Sequence, residues 1–246
     1  MKKIYLTTIF ICLLTFLQAQ KPTLFLVGDS TMADKKDPDK NPEHGWGQIL
    51  PTLMTNTISI QNHATNGRSS KSFRTEGRWD KVYKQLKKGD YVIIQFGHND
   101  QKFEDPERFT NPATQYRANL ERYVKETREK GATPILMTSI VRRNFLESGV
   151  LLDTHNLYPI VVRMVAKDLD VPFVDMQQET EEIVLSYGPE KSKELYLHFE
   201  PKENNYYPEG KHDDTHLSKL GATLTAEKAT KQLSKLNIGL EKFIKK

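Results

Sequence analysis

"LFLVGDST", residues Leu24–Thr31, is an apolar run that stops abruptly in a glycine, a carboxylate and two hydroxyls. Leu24, Phe25, Leu26 and Val27, with Thr23 ahead of them, read as a buried strand. Two readings of the break compete. In one, Ser30 or Thr31 caps a helix that follows the strand, since both types are common N-caps. In the other, the strand holds Ser30 at its carboxyl end, where a nucleophile is useful. The rest of the chain decides between them.

Working outward, similar short apolar runs recur at Thr57–Gln61, Tyr91–Phe96, Thr133–Thr138 and Val171–Asp175, bounded by Gly, Pro, Asn or Asp. Their apolarity is continuous rather than alternating, which predicts strands covered on both faces and a mostly parallel sheet. Between them lie helical patterns. Asn111-Pro112 opens a helix that stops near Gly131 and places Tyr116, Leu120, Tyr123, Val124 and Thr127 on one face. A second is expected over 154–169, with Leu157, Ile160, Val161, Met164, Val165 and Leu169 as its apolar face. A last one is expected over 218–236. Strand then helix, repeated, is the pattern of a doubly wound α/β fold. The stretch from Tyr187 to Asp214, with Pro201, Asn204-Asn205 and Pro208-Glu209-Gly210, reads as a long irregular excursion. Such excursions in compact domains are more often functional than idle.

At the amino terminus, Met1-Lys2-Lys3, the apolar run from Ile4 to Leu17 and the small Ala19 predict a signal peptide over residues 1–19. The run is too short for a membrane span of about 20 residues. Removing it leaves one domain, 20–246, and lowers the basic count from 36 to 34 against 32 acidic residues. Near-neutral charge without a long basic run argues against nucleic acid as a partner. The single cysteine, Cys12, lies inside the signal, so packing without disulfides must carry the core. The chain is expected to be exported, periplasmic or extracellular, off the membrane after cleavage, and a monomer.

In open parallel sheets, ligands sit at the carboxyl ends of the strands. Polar clusters gather at those predicted ends: Gly28-Asp29-Ser30-Thr31, "NHATNGRSS" around Gly67, "GHND" (Gly97–Asp100), and "HDDTH" (His212–His216) beyond the excursion. Together they have the parts for acyl transfer. Ser30 needs a base, which His216 can supply. Asp213, three residues earlier, can fix the imidazole tautomer and stabilise the imidazolium, both residues coming from one local turn. The backbone N–H groups of Ser30 and Gly67 and the side-chain amide of Asn99 are candidate oxyanion donors, each worth about 3–4 kcal/mol. Each piece has a plainer use: Asn99 and Asp100 shape turns, and Asp213 or His216 can cap a helix. His212, Asp213 and His216 could instead ligate a metal, but the helical H-E-x-x-H context of a zinc site is absent. His98 is open between a partner for a neighbouring loop and a substrate contact.

In this combination and order, Gly28-Asp29-Ser30, Gly67, Gly97-His98-Asn99-Asp100 and Asp213–His216 resemble the four consensus blocks of the SGNH (GDSL-type) hydrolases. "GDSTMA", "NGRSSKSF" and "QFGHND" are similar to the rhamnogalacturonan acetylesterases within that family. The resemblance implies a flavodoxin-like three-layer sandwich with a five-stranded parallel sheet in the order 2-1-3-4-5. It implies Ser30, His216 and Asp213 as nucleophile, base and orienter, with oxyanion donors at Ser30, Gly67 and Asn99, and neither metal nor cofactor. The implied substrate is an acetyl ester on pectin, a plant cell-wall polysaccharide. Xylan acetate, a lipid or a thioester would keep the same site, and a non-catalytic carbohydrate-binding protein is the rival from another class. Finally, "GRSSKSFRTEGRW" carries Arg68, Lys71, Arg74 and Arg78 against Glu76 alone. Either this is a solvated loop whose charges do nothing, or some of these cations face galacturonate carboxylates, with Arg68, beside Gly67, the first choice.

Overall fold

A computed structural model describes residues 21–245; the expected signal peptide lies outside them. The five apolar runs form one parallel sheet of β1 (Thr23–Gly28), β2 (Ser59–Asn62), β3 (Tyr91–Gln95), β4 (Thr133–Met137) and β5 (Phe173–Val174). Its order is β2-β1-β3-β4-β5, as the resemblance implied. The register keeps neighbouring carboxyl ends level, with Gly28 opposite Gln95 and Gln95 opposite Met137.

Side chains alternate across this sheet, so each strand feeds two cores. Leu24 and Leu26 join Trp46 and Leu50 of α1 (Trp46–Leu53), Val184 of α6 (Met176–Lys191), and Ala222, Ala226 and Leu233 of α7 (Lys219–Leu233). Phe25 and Val27 face the other way. There they meet Trp79 and Val82 of α3 (Arg78–Gln85), Leu120, Tyr123 and Val124 of α4 (Arg117–Glu129), and Val161, Val162 and Val165 of α5 (Tyr158–Asp168). A short α2 (Ser72–Thr75) precedes α3. This is the expected three-layer α/β sandwich. No helix among the described residues is long and apolar enough to cross a membrane.

The helix expected over 154–169 differs in start and in face. It begins at Tyr158, and Leu157, Ile160 and Met164 stand about half exposed while Tyr158, Val161, Val162, Val165 and Ala166 pack inward. The segment carries apolar residues on two sides, so periodicity alone does not choose. Pro159 suits the first turn of a helix, and the Tyr158 hydroxyl shares its one proton between the carbonyls of Asp100 (2.9 Å) and Thr110 (2.7 Å). Those bonds turn the Tyr158 side inward. The other two helices follow expectation more closely. Asn111 caps a π-type turn that leads into α4, and Ser218 accepts from the Gly221 N–H (3.1 Å) to cap α7.

The stretch from Tyr187 to Asp214 is also more ordered than its composition suggests. It holds the end of α6, kinked at Gly188, and then β6 (Tyr196–Phe199) and β7 (Lys211–Leu217), an antiparallel pair outside the main sheet. "KHDDTHL" is too polar to announce a strand.

Gly45 shows how closely the loop after β1 is packed. A Cβ there would meet the Ala33 carbonyl oxygen at 2.1 Å, atoms of backbone rather than of a movable side chain. Gly45→Ala should cost about 1–3 kcal/mol by overpacking. A thermal melt should show Tm lowered by roughly 3–10 °C, given about 2–4 °C per kcal/mol in a domain this size.

Candidate active site

The break after β1 is a tight turn in which the N–H groups of Met32 and Ala33 donate to the Asp29 carbonyl. No helix follows directly; α1 starts only at Trp46. Asp29, not Ser30, supplies the local side-chain cap. Its Oδ1 accepts from Thr31 N–H (3.0 Å) and Thr31 Oγ1 (2.8 Å). That leaves the Ser30 hydroxyl for another partner, which is His216: Ser30 Oγ lies 3.0 Å from His216 Nε2. His216 Nδ1 lies 2.8 Å from Asp213 Oδ2. An ionised carboxylate only accepts, so Nδ1 carries the proton and Nε2 accepts from Ser30. Both ring nitrogens are thus engaged.

Asp213 and His216 sit on β7, not on a free turn ahead of α7. Tyr196 pairs with Leu217 and Leu197 with Asp213, so Asp214, Thr215 and His216 bulge out of the ladder. The bulge is itself a small turn, for Asp213 Oδ1 accepts the N–H groups of Thr215 (2.9 Å) and His216 (3.0 Å). Burial works against the Asp213 charge, but the His216 imidazole and these backbone donors outweigh it. They hold the carboxyl well below the usual carboxylate range.

The oxyanion candidates come to the same edge. Gly67 adopts φ +75°, a region that favours glycine. Neither its N–H nor that of Ser30 donates to an acceptor among the described residues. The Asn99 amide donates to the Arg68 carbonyl (3.2 Å), while Arg108 Nη1 lies 3.5 Å from Asn99 Oδ1. His98 is buried beneath the site, 3.3 Å from Asp29 Oδ2 and edge-on to His155 with ring centroids 4.6 Å apart. Burial lowers the His98 pKa despite the Asp29 carboxylate, and lowers that of His155 further. Arg68 lies between Glu76, whose carboxylate its Nε reaches at 3.0 and 3.1 Å, and the Asn66 carbonyl, 2.7 Å from Nη1. The rings of His198 and His212 meet at a steep angle, 5.7 Å apart.

Three supports were not assigned from the sequence, although Asp100 was read there as a turn residue of the GHND block. Lys35, in the charged run "DKKD", is almost fully buried. Its Nζ donates to the Ser30 carbonyl (2.7 Å) and Asn66 Oδ1 (2.9 Å), and pairs with Glu43 (2.7 Å). Glu43 in turn bridges Ser218, two residues past His216. One ammonium therefore ties together the chain segments that carry Ser30, Gly67 and His216. Asp100 joins two others: it accepts from Ser70 N–H (3.0 Å), Ser70 Oγ (2.5 Å) and Thr110 Oγ1 (2.8 Å). Burial pushes its pKa up from 3.8 to about 7 despite these donors. Arg143, after β4, grips the β7 bulge through Asp214 Oδ1 (2.8 Å) and the Asp214 carbonyl, while His198 Nε2 lies 2.8 Å from the same carboxylate. An open cleft of about 360 Å³ is lined by the loops after β1 and β2, among them Lys35, Lys36, Glu43 and Asn66, and by Tyr206.

A model of the GDSL-like lipase/acylhydrolase family matches residues 26–224. The chain belongs to this family. Among similar proteins, a rhamnogalacturonan acetylesterase of Bacillus subtilis (strain 168) is 39% identical over 89% of this chain and 92% of its own length. A rhamnogalacturonan acetylesterase of Emericella nidulans is 29% identical over 92% and 89%. The crystal structure of the Bacillus subtilis protein YxiM superposes with a TM-score of 0.77 at 25% identity, covering 89% of this chain and 58% of that longer one. As a member of the GDSL-like family the chain is a carboxylic ester hydrolase.

Two variants test the supports. Lys35→Met should lower kcat about tenfold to a hundredfold, because small misplacements of reacting groups cost that much. KM for p-nitrophenyl acetate should change little, while Tm should fall because Glu43 loses its buried partner; an unchanged kcat measured well below that Tm would make Lys35 a stability residue only. For Asp100 the folded pKa lies above the unfolded one, so the folded state holds the extra proton. Stability from this group is therefore lost as pH rises from 3.8 towards about 7. Across that window, the Tm of Asp100→Asn minus that of the parent should climb; a flat difference contradicts the raised pKa.

Proposed function

We propose that the protein is an exported acetylesterase that removes acetyl groups from pectin of the rhamnogalacturonan type through an acetyl-Ser30 intermediate. The observation that carries this is the relay Ser30–His216–Asp213, with contacts of 3.0 and 2.8 Å, beside unengaged N–H groups on Ser30 and Gly67. The named activity of the 39% identical relative supports the choice of acyl group and polymer.

Ser30 Oγ attacks the acetyl carbonyl carbon as its proton passes to His216 Nε2, and Asp213 stabilises the imidazolium. The oxygen that gains charge takes hydrogen bonds from the Ser30 and Gly67 N–H groups and the Asn99 amide. Collapse of the tetrahedral intermediate breaks the bond to the sugar oxygen, which takes the proton from His216. Water then enters, gives a proton to His216 and attacks the acetyl-serine carbonyl. Acetate leaves and Ser30 regains its proton. Every step is served by side chains and backbone of this chain, without metal or cofactor. The signal-like residues 1–19 support export, and the chain works as a monomer on an insoluble or polymeric substrate.

Ser30→Ala should reduce acetate release from acetylated rhamnogalacturonan by at least about a thousandfold, in the range seen when a nucleophile is removed, while leaving Tm nearly unchanged. The parent enzyme, assayed in parallel on acetylated xylan, should favour the pectic polymer. Preference for xylan would reject the pectin assignment, and activity surviving in Ser30→Ala would reject the nucleophile.

A further inference from the structure

Each cation of the basic stretch after Gly67 is already held by a neighbouring acceptor, the arginines by carboxylates and Lys71 by a backbone carbonyl. Arg68 and Arg78 share the Glu76 carboxylate, Arg74 pairs with Glu126 (2.9 Å), and Lys71 Nζ donates to the Pro106 carbonyl (2.6 Å). Three further cations, Arg108, Lys102 and Arg142, come from the loops after β3 and β4. Arg108 Nη1 is 3.5 Å from Asn99 Oδ1 and 3.7 Å from the point where a side chain on Gly67 would begin. It therefore overhangs the gap between two proposed oxyanion donors. Its Nε is bound to Asp105, the only carboxylate it contacts among the described residues. Arg142, from the loop after β4, donates to the His98 carbonyl (3.3 Å) and Thr154 Oγ1 (3.0 Å). Lys102 is exposed and lies in the same loop as Arg108. Neither Lys102 nor Arg142 has a carboxylate oxygen within 4.0 Å among the described residues.

These groups feel one another. Partial burial lowers the Lys102 pKa first, and the charges of Arg108 and Arg142 lower it further. Burial likewise lowers that of Arg142, with Asp29, Asp153 and Asp213 balancing its charge only from a distance. Three mutually repelling cations with one contacting carboxylate gain when another carboxylate arrives, and arginine holds it with two parallel bonds.

We infer that Lys102, Arg108 and Arg142 form a subsite for the carboxylate of a uronic acid adjacent to the acetylated sugar. This rests on the pectin reading above and adds to it the residues that recognise the polymer's charge. The subsite spans the edge between the loop after β3 and the loop after β4, where Arg108 reaches Asn99 and Arg142 reaches the His98 carbonyl. Recognition is electrostatic and weakens with salt, since exposed charges are screened beyond about 10 Å at 0.1 M.

The test compares acetate release from acetylated rhamnogalacturonan with release from the same polymer after its carboxylates are reduced to primary alcohols. The parent enzyme should lose at least tenfold in kcat/KM on the reduced polymer. Lys102→Glu, on an exposed side chain that threatens no packing, and Arg108→Ala should each lower kcat/KM on the acidic polymer. Both should bring the acidic-to-reduced ratio close to one, and Arg108→Lys should restore part of it. Variants that keep the parent's ratio, or a parent enzyme indifferent to the reduction, overturn the subsite while the pectin reading stands. No release from either polymer by an enzyme active on p-nitrophenyl acetate overturns both.

Discussion

The hydrogen bond between Ser30 and His216 joins positions 186 residues apart, and the site depends on it. One such bond contributes only about 0.5–1.5 kcal/mol, far too little to hold two distant segments in register. The sheet does most of that work. Parallel strands in the order β2-β1-β3-β4-β5 bring the ends of β1 and β3 side by side, with Gly28 opposite Gln95. His216 is the exception, because it arrives on β7, outside the main sheet. Its position is set by Arg143 on the Asp214 bulge and by Glu43 against Ser218. The catalytic geometry is thus rigid where the sheet supplies it and clamped by charge where the sheet does not.

The clamps are costly ones. Taking Lys35, Asp29 and Asp100 out of water is unfavourable unless each is richly bonded. Lys35 has three oxygen partners, and Asp29 and Asp100 each accept from the loop beside them. An apolar contact could stabilise these loops as well, but would leave their backbones free to slide. Fixed hydrogen bonds specify where the Ser30 carbonyl and the Asn66 side chain sit, and that is what a nucleophile and an oxyanion donor require.

Much of the fold was legible because it rests on local composition. Apolar runs such as Leu24–Val27 and Tyr91–Ile94 are buried on both faces, and each ends in residues with few other uses there. The α5 face was not legible, since Leu157, Ile160 and Met164 compete with Tyr158, Val161 and Val165; two hydroxyl bonds from Tyr158, made across the fold, decide it. The pair β6 and β7 hid behind polar residues whose burial is partial. Lys35 and Arg108 were invisible for another reason. Charged residues in loops look alike in sequence, and only tertiary structure shows which carboxylate has already claimed each one.

Asn99 shows how the resting site differs from the reacting one. Its amide donates to the Arg68 carbonyl at 3.2 Å, a neutral and rather long bond that nevertheless fixes the direction of the donor. Hydrogen bonds to an ionised acceptor are roughly twice as strong as neutral ones. In the proposed reaction, an oxyanion between Ser30 and Gly67 would draw on the second N–H of this amide more strongly than an uncharged ester carbonyl does. Arg108 Nη1 lies 3.5 Å from Asn99 Oδ1, on the opposite end of the same amide. On the proposed mechanism such an interaction would grow only as charge develops, and would lower the barrier without deepening the substrate complex.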